Sequence, residues 1–267
     1  MAITSLDLAL AGEDPLEWYS KAVSGTLVAA RPFSPFYLAG VPGAAAAPTP
    51  GLAGAALTTY AGQIPVPTAS GNTHLSYFQG ISSAQAGGLM LADRLWHNSG
   101  FTITIATAQT VNSAAWPARD KNGSTNGAGV YLGVEVSAAT GAGTPTITVS
   151  YTNSDGTAGR TGTNSVATVA SSAAGTFYPI GLQAGDVGVR SVQTLTLSAT
   201  WTSGTIHLVA YRPISVLSLS AAGIPASINA VTGNMPRLYD NSVPMLIYTP
   251  QTTTTTQISA AVKFTQG

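Results

Sequence analysis

The sequence predicts an all-β fold: an antiparallel β-sandwich, jelly-roll-like body preceded by an extended N-terminal arm rich in Pro and Ala. Three observations carry this expectation. Phe101-Thr-Ile-Thr-Ile-Ala-Thr, Pro145-Thr-Ile-Thr-Val-Ser-Tyr and Val192-Gln-Thr-Leu-Thr-Leu-Ser alternate apolar with hydroxyl residues. A period of two puts one set of side chains on each face, as in half-buried strands. Asn122-Gly123, Asn126-Gly127 and Asp155-Gly156 supply turn chemistry between such runs, because these pairs tolerate positive φ. Seven prolines between positions 32 and 67 then bar a helix or a central strand from that stretch.

In chain order, a short helix is expected near Pro15–Ala22. Asp14 would cap it, Pro15 would take its first position, and Glu17 stands three residues after Asp14. Trp18 and Tyr19 would give it a packing face. Glu13, Asp14 and Glu17 are the densest carboxylates in the chain, but acidic residues suit a helix's first turn without any catalytic role. Residues 31–70 read as an arm: no charged residue occurs from Pro32 to Ala92, whereas disordered linkers tend to be charged. Phe33, Phe36, Tyr37, Tyr60 and Ile64 are large apolar groups that a free linker has no use for. They are the candidate partner-binding residues, and the arm is expected to order only when docked on a neighbour.

Strands are expected at 101–110, 130–138, 144–152, 165–170, 176–182, 187–200 with a break, and 205–211. Ile103, Ile105, Ile147, Val149, Leu195 and Leu197 should face inward. Trp201-Thr-Ser-Gly204 reads as the hairpin joining the last two strands. Val216-Leu-Ser-Leu-Ser continues a strand, 224–244 is irregular, and further strands start near Met245 and Gln257, flanking a loop or edge of five threonines, 252–256. The expected organisation is an N-terminal helix and arm over 1–92, a β body over 93–213, and a C-terminal extension over 214–267 whose strands return to the body or to neighbours.

Charge restricts the function classes. Ten basic and ten acidic residues among 267 give a net charge of zero, and only 7% of residues are charged, against about 25% in ordinary globular domains. Either Ser, Thr, Asn and Gln hydrate the surface, or much of it is buried in an assembly. The second suits a structural subunit better. Lys and Arg are scattered singly, so no nucleic-acid partner is expected. Met1-Ala-Ile-Thr-Ser-Leu-Asp7 lacks a basic region, and the apolar stretch 39–57 is broken by Pro42, Pro48 and Pro50. Neither a secretory signal nor a membrane-spanning helix is expected. There are no cysteines, which excludes disulfides and thiolate metal sites.

Catalytic patterns are missing. His74, His97 and His207 are far apart with no ligand spacing. Neither a nucleophile elbow nor a phosphate loop occurs. Asp93, Asp120, Glu135, Asp155, Asp186 and Asp240 are dispersed, whereas a glycosidase needs two carboxyls facing one bond. The expectation is therefore a protein with no catalytic residues, cofactor or metal. Trp96, Trp116 and Trp201 could line a carbohydrate platform, although aromatics more often anchor a core or a contact.

The uncharged Ala/Gly/Thr/Ser-rich composition, the arm from Arg31 to Pro67, and the β block from Asp93-Arg94-Leu95-Trp96-His97-Asn98 to Ala210-Tyr211-Arg212-Pro213 resemble a tailed-bacteriophage virion structural protein. The chain is most similar to capsid decoration (cement) proteins. The resemblance is one of composition and organisation over the whole chain and carries no residue-level signature. It implies a non-enzymatic subunit, made in the host cytoplasm and placed on the outer capsid surface. It also implies a homotrimer whose arms reach the phage major capsid protein. The alternative is a tail or fibre component that recognises a host-surface glycan.

Overall fold

The structure, a computed structural model, describes residues 3–23, 27–68 and 70–267. It is almost all β, with 43% of residues in strands and 3% in helix, and its antiparallel sheets form a sandwich-like arrangement. In chain order the elements are α1 (Leu6–Ala11), β1 (Glu17–Val23), β2 (Gly40–Val41), β3 (Ala55–Ala56), β4 (Thr73–Ser82), β5 (Gly87–His97), β6 (Gln109–Thr110), β7 (Tyr131–Ala138) and β8 (Ile147–Asn153). There follow β9 (Arg160–Asn164), β10 (Phe177–Gly181), β11 (Val189–Leu197), β12 (Thr205–Leu219), β13 (Ala226–Asn229), β14 (Arg237–Leu238), β15 (Pro244–Pro250) and β16 (Thr256–Gln266). The chain divides into two compact units. One comprises residues 1–46, 59–93 and 213–267, and the other 47–58 and 94–212.

The first unit contains a sheet in the order β13-β4-β16-β1-β2, with every pairing antiparallel. β15 pairs separately with residues 87–93 of β5. A single buried cluster draws on both sets of strands: Tyr19, Leu75, Phe78, Ile258, Val262 and Phe264 from one, Leu89, Leu91, Leu246 and Tyr248 from the other. Contact across the cluster is close. A Cβ added at Gly80 on β4 would lie 2.4 Å from Leu89 Cδ2, so only glycine fits there without repacking.

In the second unit β7 lies between β12 and β10, and β10 leads on through β9, β8 and β11 to β6. Phe177–Pro179 pairs with β7 while Ile180–Gly181 pairs with β9, so one strand serves two sheet segments. Alternation along these strands places Val134, Val136, Ile147, Val149, Leu195, Leu197, Ile206 and Leu208 in one core with Trp201. Five of the six residues expected to face inward are buried. Ile105 is the exception at 39% exposure.

Four expectations are corrected. The helix lies at Leu6–Ala11 with Ser5 as its cap, and 17–23 is strand β1. The Asp14 capping signal is local, and it loses to a seven-residue ladder with β16, from Glu17 opposite Val262 to Val23 opposite Thr256. Residues 101–106 are not a strand. The Gln109 side chain accepts from the Thr102 amide (2.8 Å) and donates to the Thr102 carbonyl (3.0 Å), closing a loop where a neighbouring strand would otherwise bond. The expected strand at 165–170 lies instead at 160–164. It ends where Asn164 accepts from the Ile147 amide and donates to the Val166 carbonyl. Arg-Thr-Gly-Thr-Asn lacks apolar alternation because its neighbours β8 and β10 supply the pairing on both sides.

The fourth correction concerns the arm. Phe33 and Tyr248 exchange amide-to-carbonyl bonds at 2.7 and 2.8 Å, the Ile64 amide donates to the Pro244 carbonyl, and the Ala45 amide donates to the Phe36 carbonyl. The proline-punctuated segment thus satisfies its backbone against its own chain, rather than waiting for a neighbour.

Candidate interaction surface

Several polar side chains in the interior pair with one another. In the second unit Arg94 forms a 2.7 Å ion pair with Glu135, both fully buried, and Arg94 Nε donates to His97 Nδ1 at 3.2 Å. His207 lies 2.9 Å from the Asn98 carbonyl through Nδ1 and 2.7 Å from Ser137 Oγ through Nε2. Donation from Nδ1 to the carbonyl leaves Nε2 to accept from the hydroxyl, the neutral tautomer. Burial, then the nearby Arg94 and His207, pushes the His97 imidazole down to about 2, and burial also lowers His207. Neither ring is poised to carry a proton near neutrality. These groups lock strands β5, β7 and β12 together in register.

The dispersed carboxylates have separate tasks. Asp93 accepts from Ser242 Oγ and the Val243 amide. Asp120 accepts from the amides of Asn122, Ser124 and Ala128 and from Ser124 Oγ, shaping the 120–128 loop. Asp186 accepts from Arg160, Asn153 and Tyr151, and the Arg160 bond holds its carboxyl well below the usual range. Among the described residues no three His, Asp or Glu side chains gather to hold a metal ion.

Of the five candidate partner-binding residues, Phe33, Phe36 and Ile64 are buried within the chain. Phe36 stacks on Tyr60 with centroids 5.9 Å apart and meets Tyr37 edge-on at the same separation. Phe33 and Ile64 join the core of the first unit instead. Tyr37 and Tyr60 are half-buried. Trp96, Trp116 and Trp201 are also buried, so they form no platform.

An apolar face survives elsewhere in the first unit, on the outer side of the β13-β4-β16-β1 sheet. β1 alternates, with Tyr19, Lys21 and Val23 inward and Trp18 and Ala22 exposed. Trp18 is 50% exposed. It stands opposite Ala261, which is opposite Gln79, which is opposite Ser227. Neighbouring rows are Ser20, Ser259 and Ile81, and Lys263, Tyr77 and Asn229. At one end α1 presents Leu6 and Leu10, one turn apart and therefore on one side of the helix. With Leu16, Tyr77 and Val231 they line a hollow of about 420 Å³. Beside it Trp18, Gln79, Ile81, Pro225 and Ala261 line a smaller one of about 170 Å³. Among the described residues, the only charged ones lining either hollow are Glu13 and Lys263, and they form an ion pair with each other. Sequence reasoning assigned this stretch to a helix and so missed the face. Its signal was the alternation Glu17-Trp-Tyr-Ser-Lys-Ala-Val23.

No helix among the described residues is long and apolar enough to cross a membrane. No known protein-family model matches the chain, and no curated protein matches it as a relative. Among solved structures, the chain has coarse similarity to the VP2 subviral particle of infectious bursal disease virus, with 8% identity over 95% of this chain and 80% of that one and a TM-score of 0.23. The Gx strain of the same virus shows 11% identity over 94% and 81%, with a TM-score of 0.23. Similarity this low carries no conclusion about fold or role.

Proposed function

We propose that this chain is a non-enzymatic virion structural subunit. Specifically, it is a capsid decoration (cement) protein that self-associates and binds the head shell through its major capsid protein. The observation that carries the reading is the leucine- and tryptophan-bearing outer sheet face, where the charged residues described in the lining of its two hollows form one self-neutralised ion pair in the larger hollow. A monomeric surface normally scatters its large apolar groups singly, whereas contiguous apolar patches mark interaction sites. The low charge of the whole chain points the same way. Such a subunit works by covering apolar surface across subunit boundaries, without chemistry. The glycan-recognising alternative loses its aromatic platform, because Trp96, Trp116 and Trp201 are in cores.

The test is the stoichiometry of the chain in purified particles. Copies in proportion to the shell subunits support decoration. A few copies confined to one vertex favour a tail component, and absence from particles overturns the reading.

A further inference from the structure

We infer that the outer face of the β13-β4-β16-β1 sheet, together with α1, is where one copy of this chain docks on another. The inference rests on the self-associating reading above and names its surface and partner.

Two observations select a second copy as the occupant. The first is charge. Glu13 and Lys263 neutralise each other inside the face, while Asp7, Asp14 and Glu17 do not line its hollows. A face with no net charge repels no copy of itself and offers little to steer a nucleic acid or a strongly charged protein. Other polar groups there, such as Gln79, Ser259, Ser20, Ser227, Tyr77 and Asn229, each both donate and accept, so they match their own kind.

The second is area. Leu6 (52%), Leu10 (57%), Leu16 (47%), Trp18 and Val231 (76%) are the exposed large apolar side chains here. Together they offer roughly 200–400 Å² of apolar surface, taking about 150–250 Å² for a whole Trp and about 60–120 Å² for a whole Leu or Val. A stable pair needs about 800 Å² per partner, of which about 56–65% is apolar. These five side chains therefore supply about half or more of the apolar share that a like partner requires, and Tyr77, Ile81 and Pro225 on the same face add to it. Its centre is a half-exposed Trp beside a leucine-lined hollow, the kind of aromatic anchor around which binding energy concentrates.

The experiment is sedimentation equilibrium of the purified full chain from about 1 to 100 µM, bracketing micromolar affinities. The wild-type chain should sediment as an oligomer. Trp18→Glu and Leu10→Glu should each weaken association about thirty-fold or more, the scale of a hot-spot loss, with cooperative melting retained. Val216→Glu is the control. Val216 is exposed on β12, away from this face, between positions whose neighbour Leu217 is in the core, and its variant should associate like wild type. A monomeric wild-type chain overturns the inference while leaving the virion role to the particle stoichiometry. An oligomer that Trp18→Glu and Leu10→Glu do not weaken overturns the surface but not self-association. If either variant fails to fold, hydrogen exchange of the wild-type chain decides. Protection that rises with concentration over residues 6–18 and 77–81 supports the inference, and protection that rises only elsewhere overturns it.

Discussion

Lys21 Nζ donates to the Phe36 carbonyl at 3.1 Å and to the Gly43 carbonyl at 3.3 Å. A buried ammonium on β1 thus ties down the proline-rich segment, with the Tyr19 ring 5.6 Å away. The segment stays in place partly because a strand side chain reaches it from within the core.

Burial pushes the Lys21 ammonium down to about 8 from its ordinary 10.5. Between those values the unfolded chain binds more protons than the folded one, so this group makes stability rise with pH from about 8 towards 10.5. Denaturant midpoints across that window should rise in the wild type and flatten in Lys21→Met. Lys21→Ala should destabilise by about 2–4 kcal/mol, by removing the ammonium's bonds to the Phe36 and Gly43 carbonyls and opening a cavity.

The two histidines of the second unit give the acid limb. Both are held below their ordinary values, so on acidification the unfolded chain takes up protons that the folded chain refuses. Stability should therefore fall as pH drops below about 6.5, the unfolded-state value. Melting temperature against pH reads this, and His97→Asn should shallow the slope. A flat profile between pH 6.5 and 4.5 would contradict it.

Arg94→Met should cost about 3–5 kcal/mol, because it removes one partner of an ion pair that is fully buried. The double variant Arg94→Met, Glu135→Leu should recover part of that loss. Chemical denaturation of the two variants and the wild type measures both effects. An equal loss in single and double variants would show that the pair acts through packing rather than charge.

Phe33→Ala should destabilise the isolated chain by about 3–5 kcal/mol, the cost of emptying a core site. Tyr37→Ala, at a half-buried position, should cost under about 1.5 kcal/mol. Comparable small losses for both would restore a segment that docks only on a partner.

Gly133→Ala should lower stability by about 1–3 kcal/mol through overpacking. A Cβ there would fall 2.1 Å from Phe177 Cζ, and that ring is in edge contact with Tyr211 at 5.4 Å. Urea unfolding measures the loss, and a neutral outcome would mean that the Phe177 ring can turn aside.

By itself the sequence determined the β class and most strands of the second unit. Ile147 to Asn153, Val189 to Leu197 and Thr205 to Tyr211 each carry their own alternation, and the glycines of Asn122-Gly123 and Asp155-Gly156 take the positive φ those turns need. Periodicity is local, so it survives without knowledge of partners. Tertiary structure decided the rest. Residues 17–23 carry a helix-start signal and a strand alternation at once, and β16, some 240 positions later, resolves the conflict by pairing. Phe33, Phe36 and Ile64 look like anchors for a partner, because the segment has no periodicity to show what covers them. Tyr248, Pro244 and Lys21 reach them from elsewhere in the chain. The apolar outer face follows from the same cause. Alternation shows that β1 has two unlike faces, but which face is covered depends on where its long-range neighbours place the core, and that burial is a property of the assembled sheet.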